Sequence, residues 1–113
     1  MLMRHHNQKK NILIIGGHDP SGGAGIQADI ETIMHGGCQA VSIISSLTTQ
    51  NTQRVLNIIP QDPENFRKQF QLLIEDIDID ACKIGMIGDP KLIEVIHGEL
   101  SNKKINVLFY RLL

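Results

Sequence analysis

Glycine, aspartate and hydroxyl side chains crowd into one stretch of this chain, Gly16 to Asp29 (GGHDPSGGAGIQAD), between an apolar run and an amphipathic one. Glycines let the backbone approach a ligand closely, and a helix amino end favours negative charge, so the composition suits a small-molecule or phosphate cradle. It suits a plain strand-to-helix turn equally well. Two specific chemistries can be tested on spacing. A Walker A loop needs the lysine of GxxxxGK[ST], and none occurs between Lys10 and Lys68, which excludes it. Gly23, Gly25 and Ala28 fit the GxGxxA spacing of a dinucleotide fold. Two features count against that reading: the first glycine lies several residues past the strand, and the next strand ends in Ser45 and Ser46 with no acid to hold a ribose.

Other polar residues are ambiguous taken singly. Asp29, one turn into the helix, could contact a ligand or simply stabilise the helix dipole. Gln50, in the Thr-rich segment LTTQNTQ, could bind a ligand or be ordinary loop polarity. Lys83, near the end of a buried run, could serve a site or snorkel to solvent. Cys38 and Cys82 lie far apart in apolar stretches, outside any CxxC or zinc spacing, and are expected to be buried free thiols. His5 and His6 have no Cys, Asp or Glu nearby to complete a metal set, so no metal site is expected.

The totals narrow the partners. With 11 basic and 12 acidic residues the net charge is −1, which gives no electrostatic reason to expect nucleic acid or an anionic membrane. The lead-in of residues 1–10 (MLMRHHNQKK) lacks an apolar segment of signal or membrane length and is expected to be a disordered tail on a cytoplasmic protein. A small molecule is the expected ligand.

These residues must be positioned by alternating strands and helices. Asn11 to Gly16 is a continuous apolar run of the kind buried on both faces of a parallel sheet. Ile26, Ile30, Ile33 and Met34 fall at helical spacing and are stopped by Gly36 and Gly37. Ala40 to Ser45 predicts a second strand with the LTTQNTQ loop at its carboxyl end, and Val55 to Ile59 a short strand or extended connection. Asp62 and Pro63 cap a second helix with Phe66, Phe70, Leu73 and Ile77 inward. Ala81 to Ile84 is the next strand, with Gly85 to Gly88 as its terminal loop. Asp89 and Pro90 open a third helix carrying Leu92, Ile93, Ile96 and Leu100, and Asn106 to Tyr110 begins a further strand. The fold class is therefore α/β, a doubly wound, mostly parallel sheet with flanking helices, over residues 11–113. In such sheets ligands bind beyond the strands' carboxyl ends, where three loops converge: Gly16 to Gly25, Leu47 to Thr52 and Gly85 to Gly88.

The strings GGHDPSGGAGIQADIETI, SIISSLTTQNT and KIGMIGDP, in that order and at those intervals, resemble the three successive motifs of hydroxymethylpyrimidine and phosphomethylpyrimidine kinases of thiamine biosynthesis, members of the ribokinase-like fold. The resemblance runs from about Asn11 to about Asn106. It implies ATP- and Mg2+-dependent phosphorylation of 4-amino-5-hydroxymethyl-2-methylpyrimidine, followed by a second transfer giving the diphosphate. Carried over by motif, Gly17 and Ala24 would floor the pyrimidine pocket, Asp29 and Gln50 would hydrogen-bond the substrate, and Thr48 and Met86 would wall it in.

The family is more than twice this long, and its carboxyl-terminal half carries the anion hole, the aspartate base and most of the ATP pocket. Tyr110 to Leu113 match nothing in the family pattern, so the expectation is a truncated, amino-terminal portion of a ribokinase-like kinase, with no catalytic base and no turnover of its own. Two alternatives remain open. One is a non-catalytic pyrimidine-binding module or inert remnant; the other, disfavoured by GGAGIQAD and TTQN, is a pyridoxal kinase-like enzyme. A homo-oligomer formed through an exposed sheet edge is a further expectation.

Overall fold

The computed structural model describes residues 9–101, 103 and 105–109. Eight elements alternate in the expected manner: β1 (Asn11–Gly17), α1 (Gly25–His35), β2 (Gln39–Gln50), β3 (Val55–Pro60), α2 (Pro63–Asp76), β4 (Ala81–Ile84), α3 (Pro90–Leu100) and β5 (Asn106–Phe109). The strands form one sheet in the order β3-β2-β1-β4-β5. β1 pairs in parallel with both β2 and β4, and β4 with β5; the edge strand β3 runs antiparallel to β2. The chain thus winds from β1 to one side and later crosses to the other, which puts the topological switch at the carboxyl end of β1.

Alternation along the strands sorts the two faces of the sheet. Leu13 and Ile15 of β1, with Ile43, Cys82 and Ile84, pack against Phe66 and Phe70 of α2 and Leu92, Val95 and Ile96 of α3. Ile14 and Gly16 face the other way, toward α1, whose Ile26 comes within 3.8 Å of where a Gly16 Cβ would lie. Both caps read from sequence form: Asp62 accepts from the Asn65 N–H at 3.0 Å and Asp89 from the Lys91 N–H at 2.9 Å, each with proline in the first turn. α1 ends at Gly36 and Gly37, the latter left-handed with φ +88°, where Cys38 N–H returns to the Ile33 carbonyl.

Several expectations need correction. β2 continues through Gln50 as a strand, because Ser46 to Gln50 pair with β3; LTTQ is one arm of a hairpin and not a loop. Of the two readings left open for Val55 to Ile59, the strand forms, as Val55–Pro60, although five of its six residues are exposed. Of the apolar stripe read on α1, only Ile26 is buried and Met34 is exposed. On α3 Ile93 is exposed and Val95 takes the inward place, about one helical turn after Leu92 and beside Ile96. Cys38 is half-buried, unlike Cys82. His5, His6 and Tyr110 lie outside the described residues. Of the lead-in, Lys9 and Lys10 are described, and the Lys10 carbonyl accepts from Gln39 N–H.

Candidate functional site

The loop after β1 is folded around one carboxylate. Asp19, nearly buried, accepts from the Ser21 N–H at 2.9 Å, the Ser21 hydroxyl at 2.6 Å and the Ala24 N–H at 3.0 Å. The last of these ties the loop to the start of α1, whose cap residue Ala24 has no side-chain cap of its own. The Ser21 hydroxyl and then its N–H hold the Asp19 carboxyl below its ordinary value of 3.8, since donors aimed at a carboxylate favour its charged form. Gly25 closes the turn at φ +66°, and a Cβ there would meet the Gly17 carbonyl at 2.5 Å, so this position requires glycine sterically as well as conformationally.

A second loop crosses the end of β1 from the other side. Gly85 N–H donates to the Ile15 carbonyl at 2.7 Å, and the chain then runs toward β2, where the Ser45 hydroxyl donates to the Met86 carbonyl at 2.8 Å and the Ser46 hydroxyl to the Ile87 carbonyl at 2.9 Å. Adjacent strand residues ordinarily point to opposite faces. Here the register of β1 and β2 slips between Gly16 and Gly17, opposite Ser45, and the irregularity lets both hydroxyls reach the same turn. Both serines are fully buried. Each hydrogen bond satisfies a carbonyl that would otherwise cost about 1–3 kcal/mol to strand. Gly88, left-handed at φ +91°, leaves room for this packing; a Cβ would meet the Ser46 hydroxyl at 2.6 Å.

The hairpin supplies the third side. Thr48 donates to the His18 carbonyl at 2.7 Å, and His18 N–H donates to the Ser46 carbonyl at 2.9 Å, which ties the glycine loop to β2. Across the opening, Lys83 of β4 donates to Asp29 of α1 at 2.5 Å, with both side chains largely shielded from solvent.

Between these parts lies a cavity of about 270 Å³, lined by Gly17, Ala24, Asp29, Thr48, Gln50 and Met86 among others. All six residues carried over by motif therefore border one space, although Ala24 is exposed at the rim instead of forming a floor. Gly17 lies close against Met86: a Cβ there would come within 2.9 Å of the Met86 methyl. His18, Asp19, Gly25, Lys83 and Gly85 border the same space and were not singled out for it. Lys83, ambiguous in sequence, is turned toward the cavity by its place in β4, where its register partner is Ile14 on the α1 face. The volume falls just below the usual span of ligand cavities, about 300–1,000 Å³, and suits one substituted ring better than a nucleoside triphosphate.

Among the described residues no group of three His, Cys, Asp or Glu could hold a metal ion. The two carboxylates at the cavity are already engaged, Asp19 by its loop and Asp29 by Lys83. This donor set does not fit a magnesium site. No helix among the described residues is long and apolar enough to cross a membrane.

An open, mostly parallel sheet with a glycine loop and a small cavity at its switch point is the architecture of the ribokinase-like kinases, and solved structures of that class superpose on it. A phosphomethylpyrimidine kinase from Clostridium difficile matches with a TM-score of 0.84 at 36% identity, covering 89% of this chain and 44% of its own. A Bacillus subtilis pyridoxal kinase, solved as an ADP complex, matches with a TM-score of 0.81 at 28% identity, covering 89% and 40%. In sequence, the hydroxymethylpyrimidine/phosphomethylpyrimidine kinase of Aquifex aeolicus is 40% identical over 96 residues, which are 85% of this chain and 38% of that protein. Residues 19–109 match the phosphomethylpyrimidine kinase family, and the chain belongs to it. It spans well under half the length of these relatives.

Proposed function

We propose that this chain forms the pyrimidine-binding part of a hydroxymethylpyrimidine/phosphomethylpyrimidine kinase, holding 4-amino-5-hydroxymethyl-2-methylpyrimidine at the carboxyl end of β1. The observation that carries this reading is the convergence of Gly17, Ala24, Asp29, Thr48, Gln50 and Met86 on one cavity of single-ring size. Gln50 offers an amide donor and a carbonyl acceptor to the donor-and-acceptor edge of an aminopyrimidine. Met86 lays a polarizable thioether against the ring, and Gly17 leaves the space beneath it. In the reaction of the whole enzyme, the hydroxymethyl oxygen would bond to the γ-phosphorus of ATP while the bond to ADP breaks and the hydroxyl proton departs. The reading implies a cytoplasmic protein, where ATP and the free pyrimidine coexist. Self-association through the edge strand β3 belongs to the same proposal.

Gln50→Ala strands a ring donor or acceptor in a sheltered pocket, a cost on the order of 1–3 kcal/mol. Titration calorimetry with the aminopyrimidine is expected to show roughly ten- to hundred-fold weaker binding. Equal affinity with the fold intact removes Gln50 from the site.

A second reading, a pyrimidine-binding module without turnover, is favoured by the commitments of the two cavity carboxylates: Asp19 is taken up by its own loop and Asp29 gives Oδ2 to Lys83. Binding of the ring with no ADP released from ATP supports this module; sustained ADP release excludes it.

A further inference from the structure

Lys83 and Asp29 are separated by 54 residues and meet at the cavity, joining β4 to α1 through a contact of 2.5 Å. The sheet dictates this meeting. Cys82 and Ile84 point into the α2–α3 core, so Lys83 must point to the α1 face, where Ile14 is its register partner and where Ile26 and Asp29, three residues apart, share one side of the helix. The side chains of Lys83 and Asp29 retain only 15% and 21% of their exposure. The ammonium engages Asp29 Oδ2, and among the described residues Oδ1 accepts no hydrogen bond. A carboxylate that gives one oxygen to an ammonium keeps the lone pairs of the other for a further hydrogen bond. His18 and Asp19 are the other ionisable side chains at the cavity, and Asp19 is occupied by its own loop.

We propose that Lys83 is a positioning residue of this pocket: it clamps Asp29 Oδ2, fixes Oδ1 as an acceptor toward the cavity, and so makes the site select rings that present an N–H or O–H donor there. The ligand class rests on the pyrimidine reading, whereas the clamp does not. A lysine acting only through packing would, when lost, weaken all rings alike; a clamp governs preference between rings.

The test uses the purified full chain and four variants: Lys83→Met, Lys83→Arg, Asp29→Asn and the double variant Lys83→Met with Asp29→Asn. Calorimetry compares the aminopyrimidine with its 4-desamino analogue and with the 5-methyl analogue that lacks the hydroxyl. Wild type is expected to prefer the parent ring over one of these about ten-fold. Lys83→Met is expected to lose that preference, Lys83→Arg to retain most of it, and Lys83→Met combined with Asp29→Asn to lose no more than either alone. In the ligand-free protein, 15N NMR should show a slowly exchanging Lys83 ammonium that vanishes in Asp29→Asn. An unchanged preference in Lys83→Met, or no protected ammonium in wild type, overturns the proposal. If the ammonium is protected but no aminopyrimidine binds, the pyrimidine reading fails, and the same variants are scored for preference between pyridoxal and its 3-deoxy analogue, with the same outcomes deciding.

Discussion

Gly17 stands where a single added carbon is felt by the ligand before it is felt by the fold. Its hypothetical Cβ meets the terminal methyl of Met86 at 2.9 Å, the far end of a flexible side chain, and the next neighbour lies at an ordinary 3.7 Å. Gly17→Ala should therefore keep the folded structure, pushing Met86 into the cavity. Calorimetry is expected to give about ten-fold weaker aminopyrimidine binding with a melting temperature within a few degrees of wild type. Large destabilisation would instead mean that the backbone at the end of β1 tolerates no side chain at all. Gly25 contrasts with it, since there the clash is with a carbonyl and the backbone itself is left-handed. At this scale the sequence was partly legible. The six motif residues came from resemblance to a family, because nothing in the type of Thr48 or Gln50 distinguishes a ligand contact from hairpin polarity. The role of Lys83 stayed open for a physical reason: its partner lies 54 residues away, and no local spacing announces it, whereas the loop-holding role of Asp19 rests on partners only two and five residues on.

Among the elements, the glycine loop is the one whose stability should vary with acid. Its donors lower the Asp19 carboxyl in the folded chain, so the unfolded chain binds this proton more readily. The loop's contribution is thus complete above the ordinary value of 3.8 and is lost as pH falls through the lower, folded value. Asp19→Asn removes the titrating group. Urea unfolding of the two proteins should show a stability gap that is constant near neutrality and closes in acid below that range; a gap indifferent to pH would mean that the carboxylate is not ionised in the fold. The helices α2 and α3 were legible to their caps, since Asp-Pro fixes a start and the apolar spacing fixes a face. The extension of β2 was not. Its polar residues lie on a two-stranded arm that buries little on either side, so the alternation by which a strand is recognised is absent. The two serines at its bend likewise carry no signal, because their reach to Met86 and Ile87 depends on a register slip between neighbouring strands.

For the whole molecule, the least satisfied surface is that same arm. Leu47, Val55, Leu56, Ile58 and Ile59 are each more than two-fifths exposed and lie together at the antiparallel edge of the sheet. Clustered apolar groups on an unpaired edge favour association, and a second copy of the chain offers a matching edge. Sedimentation velocity should reveal concentration-dependent self-association that Leu56→Lys weakens, since this side chain is the most exposed of the set at 64%. A wild-type chain that stays monomeric at high concentration would rule this contact out. The succession of strands and helices was legible in outline, although the order of strands in the sheet was not read from it. The antiparallel edge was not, since Val55 to Ile59 read equally well as a connection.

Cys82 lies at the centre of this architecture, fully buried beside Leu13 in the sheet, with burial pushing its thiol up to about 12. Such a sulfur is closed to alkylating reagents in neutral buffer until the sheet itself parts, whereas half-buried Cys38 lies outside that core. The protein thus carries an internal clock: mass spectrometry after timed iodoacetamide exposure should find Cys38 modified first, and Cys82 only at the rate of opening. A ring seated one strand-end away should slow that second step in proportion to its occupancy.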